Sequence, residues 1–290
     1  MKFAISRGGK KRIVGAFGQA MRVSDAVGTF AMVFILPDDI NITSGSPRHH
    51  RSFLDIYLSQ LSHKYLLDLM EYQRVLKQRN ALLRKLKSGE ENIRHLDSWD
   101  ESLIGPALRI MASRAAFMEE IGPNISEVSS KLLGSSETVS VSYQPRMPIT
   151  DFTEPKAALA AFRLERSRDI RLGSTFSGPH RDIIDIIVGG KPLRNFGSLG
   201  QKKCVMIALK LAAFKALSEH RGEPAILVLD EAFAALDKER SAALLSLLSG
   251  MGQVFLASAV VTSIEDVKLY NVDAGRITQS KTGDFNVSGN

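Results

Sequence analysis

Cysteine is nearly absent from the 290 residues, Cys204 being the single one. No intramolecular disulfide can form, which suits a reducing, cytoplasmic setting. Long apolar runs are missing too: none reaches the roughly 18 residues that a membrane span needs. The first residues, Met1 to Arg7, are basic but have no apolar stretch behind them, so they do not read as a secretory signal. Acid is missing from two stretches. No Asp or Glu occurs before Asp25, while Lys2, Arg7, Lys10, Lys11, Arg12 and Arg22 do. A second acid-free run holds Arg74, Lys77, Arg79, Arg84, Lys85 and Lys87. The formal charge is +7, an excess that favours polyanionic partners such as DNA, although a solvated basic surface would show the same balance.

What remains is the balance of a globular protein, 44% hydrophobic and 24% charged, in one large domain or two. Residues 1–42 read as short strands and turns. Gly8-Gly9-Lys10 is an expected turn, and Met32-Val33-Phe34-Ile35-Leu36 a buried strand ended by Pro37-Asp38-Asp39. Residues 46–134 read as helical. Leu54, Leu58, Leu61, Tyr65, Leu69, Tyr72, Leu76, Leu83 and Leu86 form a stripe at alternating spacings of three and four, expected along one long helix. Ser88-Gly89 breaks it. A second stripe follows: Trp99, Leu103, Leu108, Met111, Phe117, Ile121, Ile125, Val128, Leu132, with Gly122-Pro123 expected to interrupt that helix. Two such helices should fold back as an antiparallel arm, although an ordinary helical bundle would carry the same stripes. From residue 135 the pattern is α/β. Strands are expected at Val139–Tyr143 and Ile183–Val188, the latter entering a Gly189-Gly190 hairpin. Helices are expected over 155–170, 200–220 and about 238–250. Ala225–Leu229 reads as a strand buried on both faces of a parallel sheet, and Gln253–Ser258 as another buried strand.

Chemistry concentrates where Ala225-Ile226-Leu227-Val228-Leu229 ends in Asp230-Glu231. Two carboxylates at the end of an apolar strand lie at the carboxyl edge of the sheet, where open α/β folds bind ligands. A helix N-cap would use the same residue types. Asp237 follows within Ala234-Ala235-Leu236-Asp237. Upstream, Gly197-Ser198-Leu199-Gly200-Gln201-Lys202 precedes a helix. A Ser-x-Gly-Gln turn there offers N–H groups, a hydroxyl and a positive dipole end to an anion.

This order resembles the layout of ABC-type and SMC-type ATPases. Further segments narrow the resemblance: Pro37-Asp38-Asp39-Ile40; Gly45-Ser46-Pro47-Arg48-His49-His50-Arg51-Ser52-Phe53-Leu54-Asp55; Leu76 to Leu83; Ser177-Gly178-Pro179-His180-Arg181-Asp182; and Phe196 to Gln201. Taken in order over nearly the whole chain, they resemble the bacterial RecF family. The resemblance implies an α/β, SMC/ABC-type P-loop NTPase head with an inserted helical arm. Residues 1–45 and 135–290 would belong to the head and 46–134 to the arm. It implies ATP and Mg²⁺ as cofactors, with Asp230 holding Mg²⁺ through water and Glu231 serving the attacking water. Ser198, Gly200 and Gln201 would form the signature loop, Asp237 the D-loop aspartate and Ser258 the switch position. The expected function is recombinational repair and replication-gap processing in the SOS response to DNA damage. DNA, single-stranded or gapped, would be bound by an ATP-dependent homodimer in which one head supplies Asp230 and Glu231 and the other the signature. RecO and RecR would be partners in helping RecA to load.

Arg48, Arg51, Lys77, Arg79 and Arg84 are candidate DNA contacts; Arg48 and Arg51 are also open to nucleotide contact or to being solvated helix-start residues, and the other three to lying on a solvated helix face. His180 and Arg181 either shape a hairpin or reach nucleotide or a partner subunit, and Cys204 reads as a packed helix residue. A P-loop requires Gly-x-x-x-x-Gly-Lys-Ser/Thr, which does not occur here. The nearest fragment, Gly189-Gly190-Lys191-Pro192, has Pro after the Lys. Residue 1 falls after the family's position for that loop, so the head is expected to be incomplete at its N-terminus. Either Met1 is an internal start or the segment has been lost. This chain alone is then expected not to hydrolyse ATP, and its exposed apolar sheet edge to favour pairing or poor solubility. The competing readings are a non-enzymatic DNA- or partner-binding remnant and, disfavoured by the arm, a transporter ATPase.

Overall fold

The computed structural model describes residues 2–5, 11–14, 20–134, 137–147, 149, 151–234, 236–258 and 267–280. The expected Gly8-Gly9-Lys10 turn lies outside them. In chain order the strands are β1 (Lys2–Ile5), β2 (Lys11–Val14), β3 (Ala20–Met21), β4 (Met32–Ile35), β5 (Val139–Gln144), β6 (Ile183–Val188), β7 (Lys191–Pro192), β8 (Ile226–Asp230), β9 (Gln253–Ala257), β10 (Leu269–Asp273) and β11 (Arg276–Ser280). The helices are α1 (Val23–Ala26), α2 (Asn41–Ser44), α3 (Pro47–Leu61), α4 (His63–Lys87), α5 (Leu96–Leu133), α6 (Pro155–Leu164), α7 (Arg166–Leu172), α8 (Leu193–Phe196), α9 (Leu199–Arg221) and α10 (Lys238–Leu248).

Among the described residues four small sheets form. β1-β2-β3, β5-β6-β7 and β10-β11 are antiparallel, while β4-β8-β9 is parallel in that order. Helix α9 is the centre of the molecule. From Cys204 to Phe214 every residue is buried, because α9 packs against β4 on one side and the C-terminal half of α5 on the other. Such a helix must be apolar all round, and its one buried charge is accounted for locally. Lys210 donates to the Phe34 carbonyl (2.9 Å) and pairs with Asp39 (2.8 Å). Burial lowers its pKa, with Asp39 opposing. Asp39 also accepts from the Leu36 N–H, so the Pro37-Asp38-Asp39 turn is fixed to the central helix.

Among the helices, three expectations need correction. The first stripe is two helices, because Ser62 takes an extended backbone and its side chain caps α4 at Tyr65 N–H. Residues 155–170 divide at Glu165. Conversely, Gly122-Pro123 does not interrupt α5, which runs on from Leu96 to Leu133 with Pro106 and Pro123 inside. A proline inside a helix costs about 3 kcal/mol. Ile121 and Ile125, both fully buried, sit on either side of Pro123, and their burial is worth about as much.

Helices α4 and α5 do pack antiparallel, since Arg109 meets Asp68 and Arg79 meets Asp100. The parallel sheet is buried on one face only. Val33, Ile35, Leu227 and Leu229 are inside, whereas Phe34, Val228 and Phe255, aligned in register, are exposed or half-exposed, as are Met32 and Ile226. Among the described residues the expectation of a strand buried on both faces is therefore wrong for β8, and that of a buried strand is wrong for β9, in which no residue is fully buried. Among the described residues the exposed apolar surface is a face of the sheet.

Candidate functional site at the carboxyl edge of the parallel sheet

Asp230 closes β8, in register with Ala257 of β9. Glu231 follows with φ +49°, a left-handed backbone that a non-glycine residue adopts at a cost of about 1–2 kcal/mol. Its N–H still bonds the Ala257 carbonyl (3.1 Å), so the kink begins at the sheet's last hydrogen bond. Both carboxylates are half-buried. Ser258 is exposed, one residue beyond the partner of Asp230.

The Ser198 turn forms a reciprocal capping box. Gln201 N–H donates to Ser198 Oγ (3.1 Å) and Ser198 N–H to Gln201 Oε1 (2.8 Å). Gln201 Nε2 reaches Glu137 (3.1 Å). The box leaves the Leu199 and Gly200 N–H groups as first-turn donors. Gly200 lets Arg240 approach closely: a Cβ would stand 2.6 Å from Arg240 Nη1, so the guanidinium would have to move aside. Arg240 in turn lies in the first turn of α10, the helix that follows the Glu231 kink. Its N–H is capped by Asp237 (2.9 Å), and its guanidinium lies 3.4 Å from the same carboxylate. Lys203 Nζ donates to the Glu231 carbonyl (3.1 Å) and to that of Ala234. Burial lowers the pKa of Lys203, with Glu231 opposing. Lys203 and Arg240 thus join the Ser198 turn, the Asp230-Glu231 pair and Asp237. Sequence reasoning passed over both. Their one signal was cationic character beside the predicted motifs.

Two of the segments that carried the family resemblance, residues 45–55 and 177–182, meet elsewhere, in a buried clasp. Asp182 is fully buried and accepts from Arg114 Nη1 (2.8 Å), the Tyr143 hydroxyl and Arg146 N–H (2.8 Å). Burial pushes this carboxyl upward, while Arg114 and those donors pull it back. Arg51 donates to the Asp182 carbonyl (3.1 Å), and the Ile184 N–H to His50 Nδ1 (3.1 Å). Arg114 also holds Asp55 (2.8 Å). His180 Nε2 faces the Thr175 carbonyl (3.0 Å) and Nδ1 the Tyr72 hydroxyl (2.6 Å). A carbonyl only accepts, so Nε2 carries the proton; burial lowers the ring's pKa to about 4, leaving Nδ1 to accept from Tyr72. His180 therefore shapes the loop.

Arg79 is not on the surface, contrary to its selection as a DNA contact. It is 0% exposed and donates to Asp100 (2.6 Å), Asp169 (2.7 Å) and Thr175 (2.7 Å), with its guanidinium 4.5 Å from the Phe162 ring centre. Arg48, Lys77 and Arg84 are exposed and Arg51 half-buried. Cys204 is buried beside the Leu132 carbonyl (3.8 Å), and burial pushes its thiol up to about 11.

For a magnesium nucleotide, the carboxylates supply hard oxygens and the α9 N-terminus supplies N–H donors. The phosphate-wrapping loop has no counterpart among the 290 residues. Among the described residues no group of three His, Cys, Asp or Glu could hold a metal, and no helix is long and apolar enough to cross a membrane.

Comparison with known proteins places this geometry in a family. Residues 191–250 match the family described as SbcC/RAD50-like, Walker B motif. The DNA replication and repair protein RecF of Synechocystis sp. is 30% identical over 295 residues, covering 96% of this chain and 77% of that protein. The protein of that name from Trichlorobacter lovleyi is 34% identical over 269 residues, covering 90% and 72%. A solved structure of the recombination mediator protein RecF-ATPrS in the RecFOR pathway has a TM-score of 0.84 at 26% identity, covering 96% of this chain and 75% of that one.

Proposed function

The chain belongs to the RecF family, and on that footing we propose that it acts as a DNA-binding recombination mediator whose head answers to ATP. Residues 46–134 serve as its arm and the flanking segments as its head. One observation carries the nucleotide part: Lys203 and Arg240 tie the Ser198 turn to the Asp230-Glu231 kink and to Asp237. A structural N-cap alone would need no such tie.

In this reading Asp230 and Glu231 serve one nucleotide, and the first turn of α9 serves the nucleotide of a second head. Bound Mg²⁺ would neutralise phosphate charge, held by Asp230 through water. Glu231 would orient and accept a proton from the attacking water. The Leu199 and Gly200 N–H groups of the first turn would face γ-phosphate oxygens across the dimer. Lys203, by holding the Glu231 and Ala234 carbonyls, keeps the kink in place when the signature turn is engaged. The chain would work with RecO- and RecR-type partners.

The phosphate anchor is not among these residues, so the chain alone should show no Mg²⁺-dependent ATP turnover. A phosphate-release assay on the purified chain tests this. Turnover that disappears in Glu231→Gln would contradict the assignment of the missing anchor while supporting that of Glu231.

A further inference from the structure

The segment from Gly173 to Arg181 runs along α4, meeting it from Lys87 and Arg84 to Asn80 and Tyr72, and gathers cations that are scattered in sequence. Thr175 is pinned to Asn80 by two hydrogen bonds, N–H to Oδ1 (2.8 Å) and Oγ1 to Oδ1 (2.7 Å). Lys77 and Arg84 lie three residues before and four after Asn80, so they share its face of the helix. Gly173 meets the next part of that face. A Cβ there would stand 3.4 Å from Lys87 Cδ and 3.6 Å from Arg84 Cγ, so both aliphatic stems rest on its backbone. Their charged heads are left to the solvent. At the other side of Thr175, the guanidinium of Arg168 stacks on Phe176, 3.3 Å from the ring centre, with Arg181 at 5.7 Å.

All five cations are exposed. Opposing charge is scarce. No acid lies between Glu71 and Glu90, and the only one between Glu165 and Asp182 is Asp169, which is buried with Arg79. Glu165 alone approaches, 3.7 Å from Arg168. Lys77 to Lys87 spans about 15 Å of helix, the axial length of roughly four phosphates on one DNA strand. The Phe176 face is covered by Arg168, so the surface offers charge and no ring for a base to stack on.

We propose that Lys77, Arg84 and Lys87 of α4, with Arg168 and Arg181 beside Phe176, form a phosphate-backbone grip for DNA that does not read sequence. The inference rests on the DNA-binding reading above and assigns it a surface. Arg79, buried beneath Thr175, anchors the grip and does not touch its ligand.

The test is fluorescence anisotropy of a labelled, mixed-sequence duplex with a single-stranded tail, titrated with the full chain at several salt concentrations. Lys77→Ala/Arg84→Ala/Arg181→Ala should weaken binding about ten- to hundredfold and lower the salt slope by about 2–3, near 0.9 for each phosphate lost. The control Lys131→Ala/Lys191→Ala/Lys215→Ala removes equal charge. Lys131 and Lys215 lie on α5 and α9, and Lys191 follows β6 at its far end from Arg181. It should stay within about threefold of the parent chain. Lys77→Glu, a single exposed change with an unaltered melting curve, should weaken binding as well. Equal losses in patch and control variants would overturn the assignment, showing diffuse charge instead. Undiminished binding in the patch variants would overturn it too. No binding by the parent chain would bring down the DNA reading itself, and the patch with it.

Discussion

Arg79 and Arg114 occupy positions where the two apolar stripes appear to skip. Between Leu76 and Leu83 the three-four spacing falls on Arg79, and between Met111 and Phe117 it falls on Arg114. Both are buried, at 0% and 2% exposure, because each finds two carboxylates inside: Asp100 and Asp169 for one, Asp55 and Asp182 for the other. Removing one partner of a buried ion pair strands the other, at about 3–5 kcal/mol. Arg79→Ala should therefore destabilise the chain by that order in a urea melt, while Lys77→Ala should leave the midpoint nearly unchanged. Equal small effects would show that Arg79 does not hold α4 to α5 and α7. The stripes were legible in the sequence, and so were the two gaps. A charged residue at a core position is readable only once its partners are known, and Asp169 is ninety positions away. The same holds for Lys203 and Arg240 at the candidate site. The Asp230-Glu231 pair announced itself as a strand end, whereas the two cations that tie it to Ser198 gave only a local charge.

Elements were legible where local pattern and tertiary packing agree. The continuous apolar runs of β4, β8 and β9 came through to within a residue or two, as did α9 behind its capping box. They diverged where packing overrules propensity, at Pro123 inside α5, and where a small residue changes direction, at Ser62. The docking of the 173–182 loop on α4 depends on such tertiary detail, with His180 as its pin. In the folded chain the ring's pKa is lowered to about 4, against about 6.5 when unfolded. Between those values the unfolded chain takes up a proton that the folded chain refuses, so this contribution to stability is present above about pH 6.5 and is lost as pH falls toward 4. His50, lowered to about 4 by burial, acts in the same direction. His180→Gln should melt lower than the parent at pH 7.5 and lose less on acidification from pH 6.5 to 4.5. Parallel melting-temperature curves for the two would remove His180 as the source.

On the scale of the whole molecule, α9 joins three regions: the Ser198 turn at its start, the parallel sheet along one side and α5 along the other. The clasp of Arg114, Asp182 and Asp55 and that of Arg79, Asp100 and Asp169 fix the helical segment to the α/β part, so the surface proposed for DNA on α4 is joined by buried ion pairs to the part that carries the sheet edge. The chain spans about three quarters of the length of the relatives it matches, 77% for the Synechocystis protein. Its parallel sheet keeps one face with Phe34 and Phe255 exposed. The central claim is that this chain carries the signature turn and the carboxylate pair of an ATP site, held together by Lys203 and Arg240, and not its phosphate anchor. The most direct measurement is equilibrium binding of a fluorescent ATP analogue to the monodisperse chain, with and without Mg²⁺. The account predicts no Mg²⁺-dependent binding in the micromolar range. Micromolar binding that requires Mg²⁺ and is lost in Asp230→Asn would contradict it, and would mean that these residues anchor phosphate without the loop.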